Sequence, residues 1–121
     1  MELIETQKEI KEWFKAAPIS YFNEDAGTAV LYENKQIAVY YFSDENKWYA
    51  SQNVCPHRLE NALSRGIVGT DGDEPKVACP FHKKTFSLKT GKCLSGDDLF
   101  IETYPVQIKD GFVFIGIPET E

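Results

Sequence analysis

The 121 residues contain no apolar run near the length, about 20 residues, at which a helix spans a bilayer. They contain no internal repeat and no linker. The N-terminal Met1-Glu2-Leu3-Ile4-Glu5-Thr6-Gln7-Lys8 has neither the basic start nor the apolar stretch of an export signal, so a cytoplasmic location without membrane attachment is expected. Positive charge is in deficit, with 13 Lys and Arg against 19 Asp and Glu and a formal net charge of −6. That balance argues against non-specific nucleic-acid binding, which depends on neutralising phosphates, and makes a protein the expected partner. Cysteine is scarce and odd in number. Three cysteines without an export signal make a poor disulfide framework, and thiolates as metal ligands become the better reading.

What is present suits one compact domain over residues 1–121, with its core at about 13–117. A hydrophobic share of 42% beside 26% charged residues is ordinary for a globular chain of this length. The periodicity is mostly that of strands. Thr28 to Tyr32 and Gln36 to Phe42 flank Glu33-Asn34-Lys35 as a hairpin, and Ser43 to Asn46 turns the chain into Lys47 to Ser51. Tyr104 to Lys109 and Phe112 to Ile117 enclose Asp110-Gly111, a pair that tolerates the positive φ of a two-residue hairpin turn. Thr85 to Leu88 and Cys93-Leu94 surround Lys89-Thr90-Gly91-Lys92 as a further short pair. Ile4 to Lys15 carries charges at a spacing that predicts a helix turn or two, whereas Trp13 and Phe14 read as the start of a first strand, with Pro18 ending any helix before it. Val54 to Glu74, with Gly66, Gly69 and Gly72, reads as one long functional loop. Short strands with turns at close intervals predict an all-β fold, a small antiparallel sandwich or barrel.

Both histidines of the chain sit just after a cysteine, in Cys55-Pro56-His57 and Cys79-Pro80-Phe81-His82. The 21 residues between His57 and Cys79 let two short loops each offer a thiolate and an imidazole to one shared site. In Rieske centres two histidines replace two cysteines on one iron of a [2Fe–2S] cluster and raise its potential, a demand these residue types meet. Pro56 and Pro80 stiffen the loops. A Zn2+ site uses the same residue types, although zinc sites favour C-x2-4-C and H-x3-5-H spacing, and four unligated residues in a relic fold form a further alternative. Cys93, a lone cysteine beside Leu94, reads as a small buried hydrophobe. Trp13, Trp48, Tyr49, Phe86, Phe112 and Phe114 read as core. Arg58, Arg65, Lys83 and Lys84 flank the ligand motifs in an otherwise acidic chain, so they read either as a basic docking rim or as solvated loop charges.

These motifs resemble those of the Rieske ferredoxin family. Leu63 to Gly69 followed by Lys76 to Leu94 is similar to the small subunits of NAD(P)H-dependent assimilatory nitrite reductases, and the resemblance runs from about Trp13 to Ile117. It implies a Rieske-type [2Fe–2S] cluster, with Cys55 and Cys79 on the inner iron and His57 and His82 on the outer, solvent-facing one, where electrons leave. It also implies a chain without bond chemistry of its own, an electron-transfer subunit whose large partner holds FAD, a [4Fe–4S] cluster and sirohaem and reduces nitrite to ammonium. A free-standing Rieske ferredoxin serving a ring-hydroxylating oxygenase shares fold and ligands, and a cluster-free docking subunit shares the fold. High-potential respiratory relatives carry a disulfide between the cluster loops and hydroxyl donors after the second histidine. This chain has Leu59, Phe81, Lys84 and Phe86 at those places, which implies a potential of about −150 mV, the low end of the Rieske range.

Overall fold

A computed structural model describes residues 10–56, 60–80, 84–96 and 98–118. Among these residues the regular structure consists of strands and two 3-10 turns, Ile19–Tyr21 and Leu63–Arg65. In chain order the strands are β1 (Ile10–Pro18), β2 (Ala26–Tyr32), β3 (Lys35–Phe42), β4 (Lys47–Gln52), β5 (Val54–Cys55), β6 (Glu60–Asn61), β7 (Ile67–Asp71), β8 (Glu74–Ala78), β9 (Thr85–Ser87), β10 (Thr103–Tyr104), β11 (Val106–Lys109) and β12 (Phe112–Pro118). They form four antiparallel sheets ordered β1-β12-β11, β10-β4-β3-β2, β5-β6 and β7-β8-β9. The expected all-β antiparallel architecture is the one observed.

Local turn chemistry explains the hairpins. Asp110 and Gly111 have φ of 53° and 80°, both left-handed, and they join Lys109 directly to Phe112. Tyr32 pairs with Lys35 across Glu33-Asn34, and Phe42 with Lys47 across the four residues Ser43 to Asn46. The pair expected around Lys89 to Lys92 is reduced to β9 and one bridge from Phe86 to Cys93.

Three expectations need correction. Residues 10–15, over which the charge spacing predicts a helix turn, are strand, as expected of Trp13 and Phe14, because β1 pairs with β12 and packs the half-buried Phe14 and Ala16 against the core. Strand pairing overrides the local charge spacing there; residues 4–9 of that helix expectation lie outside the described residues. The loop expected over Val54 to Glu74 contains β5, β6, the Leu63–Arg65 turn, β7 and the start of β8. Its hairpin is hard to read because only Pro75 and Val77 of β8 are buried, while Gly72 at φ 66° makes the turn. Of the aromatic residues expected in the core, Phe86 is fully buried, Trp48, Tyr49, Phe112 and Phe114 are half-buried, and Trp13 is exposed.

β3 is buried on both faces and divides the core in two. Ile37 and Val39 face a cluster with Val30, Ala50, Val113, Ile115 and Tyr104, which fills the basal sandwich. Ala38, Tyr40 and Phe42 face a second cluster with Leu63, Val77, Phe86, Leu88, Ile101 and all three cysteines. The alternation follows from the two-residue period of a strand.

The tyrosines of this frame set an alkaline limit. The hydrogen bond that Tyr32 donates to Glu12 Oε2 at 2.8 Å, together with burial, pushes its hydroxyl up to about 12. Burial, then the charge of Glu102, pushes Tyr104 up to about 12, and burial raises Tyr40 as well. An unfolded tyrosine ionises near pH 10. The stability these groups contribute is therefore complete below about pH 10 and is lost as pH rises towards 12. Urea midpoints measured from pH 8 to 12 should hold level and then fall above 10; a midpoint unchanged to 12 would contradict this assignment.

Candidate metal centre

Cys55 and Cys79 stand in equivalent local settings. Cys55 ends β5 and pairs with Glu60 of β6. Cys79 follows β8, and its amide donates to the carbonyl of Lys84 at 2.8 Å, continuing the ladder in which Ala78 pairs with Thr85. Each cysteine is thus separated from its partner across the ladder by four residues of sequence, 56–59 in one case and 80–83 in the other. In sequence, His57 falls within the first of these intervals and His82 within the second. Both histidines, with Arg58, Leu59, Phe81 and Lys83, lie outside the described residues.

The cysteines are fully buried, free of disulfides, and members of one apolar cluster. Among the described residues no three His, Cys, Asp or Glu side chains converge, so the described donor set consists of these two thiols. Two soft sulfur donors brought from separate loops into one water-poor cluster fit the thiolate half of an iron–sulfur site. Cys93 lies in the same cluster, 6% exposed. It differs in setting, because it forms an isolated bridge to Phe86 and its amide donates to Leu99 O at 3.1 Å, with no histidine near it in sequence. Burial as a small hydrophobe, the expected role, accounts for it.

Phe86 is fully buried in the cluster that contains both cysteines and presents a ring that carries no hydroxyl. Of the basic residues singled out, Arg65 is exposed and its Nη2 lies 3.5 Å from Asn61 O, while Lys84 is half-buried.

Two features are not evident from the ligand motifs alone. Ile67 is 74% exposed at the start of β7 and pairs with Ala78, the residue before Cys79, so a large apolar side chain faces solvent beside the strand that leads to Cys79. Asn53 is buried two residues before Cys55 and is fully engaged in hydrogen bonds. A polar residue just ahead of a ligand motif was the available signal, although its partners are distant in sequence. Among the described residues no helix is long and apolar enough to cross a membrane.

Comparison with known proteins agrees with this arrangement. The Rieske-like [2Fe–2S] domain family matches residues 12–116. An NAD(P)H nitrite reductase of Emericella nidulans is 37% identical over 92 residues, covering 71% of this chain but only 8% of that protein, so the likeness concerns one segment of a much longer polypeptide. The solution structure of an NAD(P)H nitrite reductase small subunit from Erwinia carotovora superposes with a TM-score of 0.74 at 30% identity, covering 93% of this chain and 86% of that one. The ferredoxin subunit of a 3-phenylpropionate/cinnamic acid dioxygenase from Shigella flexneri is 37% identical over 82 residues, 66% of this chain and 73% of its own.

Proposed function

This chain belongs to the Rieske-like [2Fe–2S] domain family, and we propose that it transfers single electrons as the small subunit of a cytoplasmic NAD(P)H nitrite reductase. The observation that carries the reading is the pair of buried cysteines outside any disulfide, Cys55 and Cys79, each separated from its pairing partner by four residues of sequence that include a histidine. Cys55 and Cys79 would hold one iron and His57 and His82 the other, and the group so held supplies one-electron redox chemistry. The residues themselves do the rest. The apolar cluster of Leu63, Val77, Phe86 and Leu88 keeps water from the thiolates, and the ladders ending at Cys55 and Cys79 hold both donors to one side of β3. Residues 1–121 act as one domain without a catalytic residue of its own.

The proposed partner is a large subunit holding FAD, a [4Fe–4S] cluster and sirohaem. Arg58, Arg65, Lys83 and Lys84 would form its docking rim, with exposed Ile67 as an apolar contact inside it. Purification from the native host with an affinity tag on this chain should bring down a sirohaem protein. Recovery of a flavin reductase and a mononuclear-iron oxygenase instead would support the second reading, a ferredoxin for ring hydroxylation, which the likeness to the Shigella ferredoxin subunit favours.

The potential follows from the missing donors. With Lys84 and Phe86 where respiratory relatives carry hydroxyl donors, the reduced state loses stabilising hydrogen bonds, so voltammetry should place the potential at about −150 mV. A value near about +300 mV, the upper end of the Rieske range, would contradict it.

A further inference from the structure

We infer that Asn53 is the positioning residue of the first cluster loop, tying the chain that leaves the loop to the strand that leads into it and so setting where Cys55 stands relative to Cys79. The inference rests on the reading of Cys55 and Cys79 as cluster ligands.

Asn53 lies between β4 and β5 and is 1% exposed. Its backbone carbonyl accepts from the amides of Ala62 at 2.9 Å and Leu63 at 3.0 Å, and its side-chain Oδ1 accepts from the amide of Ser64 at 2.7 Å. Three consecutive N–H groups at the start of the Leu63–Arg65 turn are thus satisfied by one residue about ten positions upstream. Those are the amides a 3-10 turn leaves without internal partners, and Ala62, at the cap position, provides no side-chain hydrogen bond. The Ser64 amide can only donate, so Oδ1 must face it. Nδ2 is then free to donate to Gln36 Oε1 at 2.7 Å, while the Asn53 amide donates to Gln36 O at 3.3 Å. The side chain is held from β3 on one side and holds the turn on the other.

The turn also packs on β2, and the residue that follows it packs on the segment that leads to Cys79. A Cβ at Gly27 of β2 would come within 2.6 Å of Ser64 O, so the turn lies directly on that strand. A Cβ at Gly66 would overlap the carbonyl oxygen of Ala78, the residue before Cys79. Leu63 is fully buried in the cluster that contains both thiols. The Leu63–Arg65 turn is therefore a strut between the base of one cysteine loop and the base of the other, and Asn53 fixes its near end. Among the described residues of the first loop, β5 and β6 pair over two positions, Val54 with Asn61 and Cys55 with Glu60. That is too short a ladder to hold its own register.

The test compares Asn53→Ala and Gln36→Ala with a variant of equal stability loss in the other half of the core, such as Ile115→Val or Ile115→Ala. Three properties are read: the urea midpoint of the cluster-free protein, the rate at which an iron chelator bleaches the reconstituted protein under fully folding conditions, and the g-values of the reduced sample. Asn53→Ala should lose its cluster about tenfold faster than wild type, the lower range for outer-shell partners of a metal site, with shifted g-values. Gln36→Ala should move the same way by less, and the Ile115 variant should keep the wild-type rate and spectrum. Equal bleaching rates for Asn53→Ala and the Ile115 variant would overturn the inference. If Asn53→Ala does not fold, Gln36→Ala decides, and a wild-type rate and spectrum there would overturn it equally. A wild-type protein that takes up no iron overturns the cluster reading itself, an outcome distinct from a wild type and an Asn53→Ala that hold the cluster equally well.

Discussion

Replacing Cys79 by serine is expected to give a folded but colourless protein, with iron falling from about two per chain to near zero. The side chain is fully buried among Val77, Phe86, Leu88 and Cys55. A serine there loses the soft thiolate that iron prefers and leaves a hydroxyl in apolar surroundings, which costs about 1–3 kcal/mol. Cys55→Ser should behave alike. Cys93→Ala is the discriminating companion, because Cys93 is buried in the same cluster yet sits on an isolated bridge to Phe86 with no histidine near it in sequence. It should keep full colour and lose only packing. Iron and sulfide assays with visible spectra decide between these outcomes. A Cys79→Ser protein with full iron, or a folded Cys93→Ala protein without any, would contradict the ligand assignment.

Gly66→Ala is expected to be strongly destabilising. Gly66 has φ −76° and ψ 173°, a conformation open to any residue, so the demand for glycine is one of space. A Cβ there would overlap the backbone oxygen of Ala78 and press on the Val77 side chain. Backbone cannot turn aside as a flexible side chain can. The cost should reach about 3 kcal/mol, the upper range for overpacking, and relief requires the 62–66 segment to move away from β8. Denaturant unfolding of the cluster-free protein measures the first effect and cluster retention the second. A Gly66→Ala protein within about 0.5 kcal/mol of wild type, the usual span for neutral substitutions, would show that the two segments do not press together.

How much of this was legible in the sequence depended on the range of the interactions. The Asp110-Gly111 turn and the paired Cys and His motifs are local, fixed by residues adjacent in sequence, and the hairpin at Asp110-Gly111 forms as its turn chemistry requires. The strand character of residues 10–15 was obscured because β12, about a hundred residues away, supplies the pairing that overrides their charge spacing. The β7-β8 hairpin was missed for a different reason. β7 and β8 carry few buried apolar residues, and the exposed Ile67 runs against the usual pattern. Asn53 was invisible as a clamp because its meaning lies in Gln36 and in residues 62–64, which only the fold brings to it. Trp13 was misplaced in the core because composition does not say which face of an outer strand meets solvent.

The central claim is that two thiolates and two imidazoles on paired loops hold a two-iron cluster. It is tested most directly by the EPR spectrum of the dithionite-reduced protein purified without air, with iron and acid-labile sulfide counted on the same sample. A rhombic signal of the Rieske kind with about two irons and two sulfides per chain is the predicted result. A colourless protein that refuses cluster reconstitution and instead binds one zinc ion per chain would contradict it.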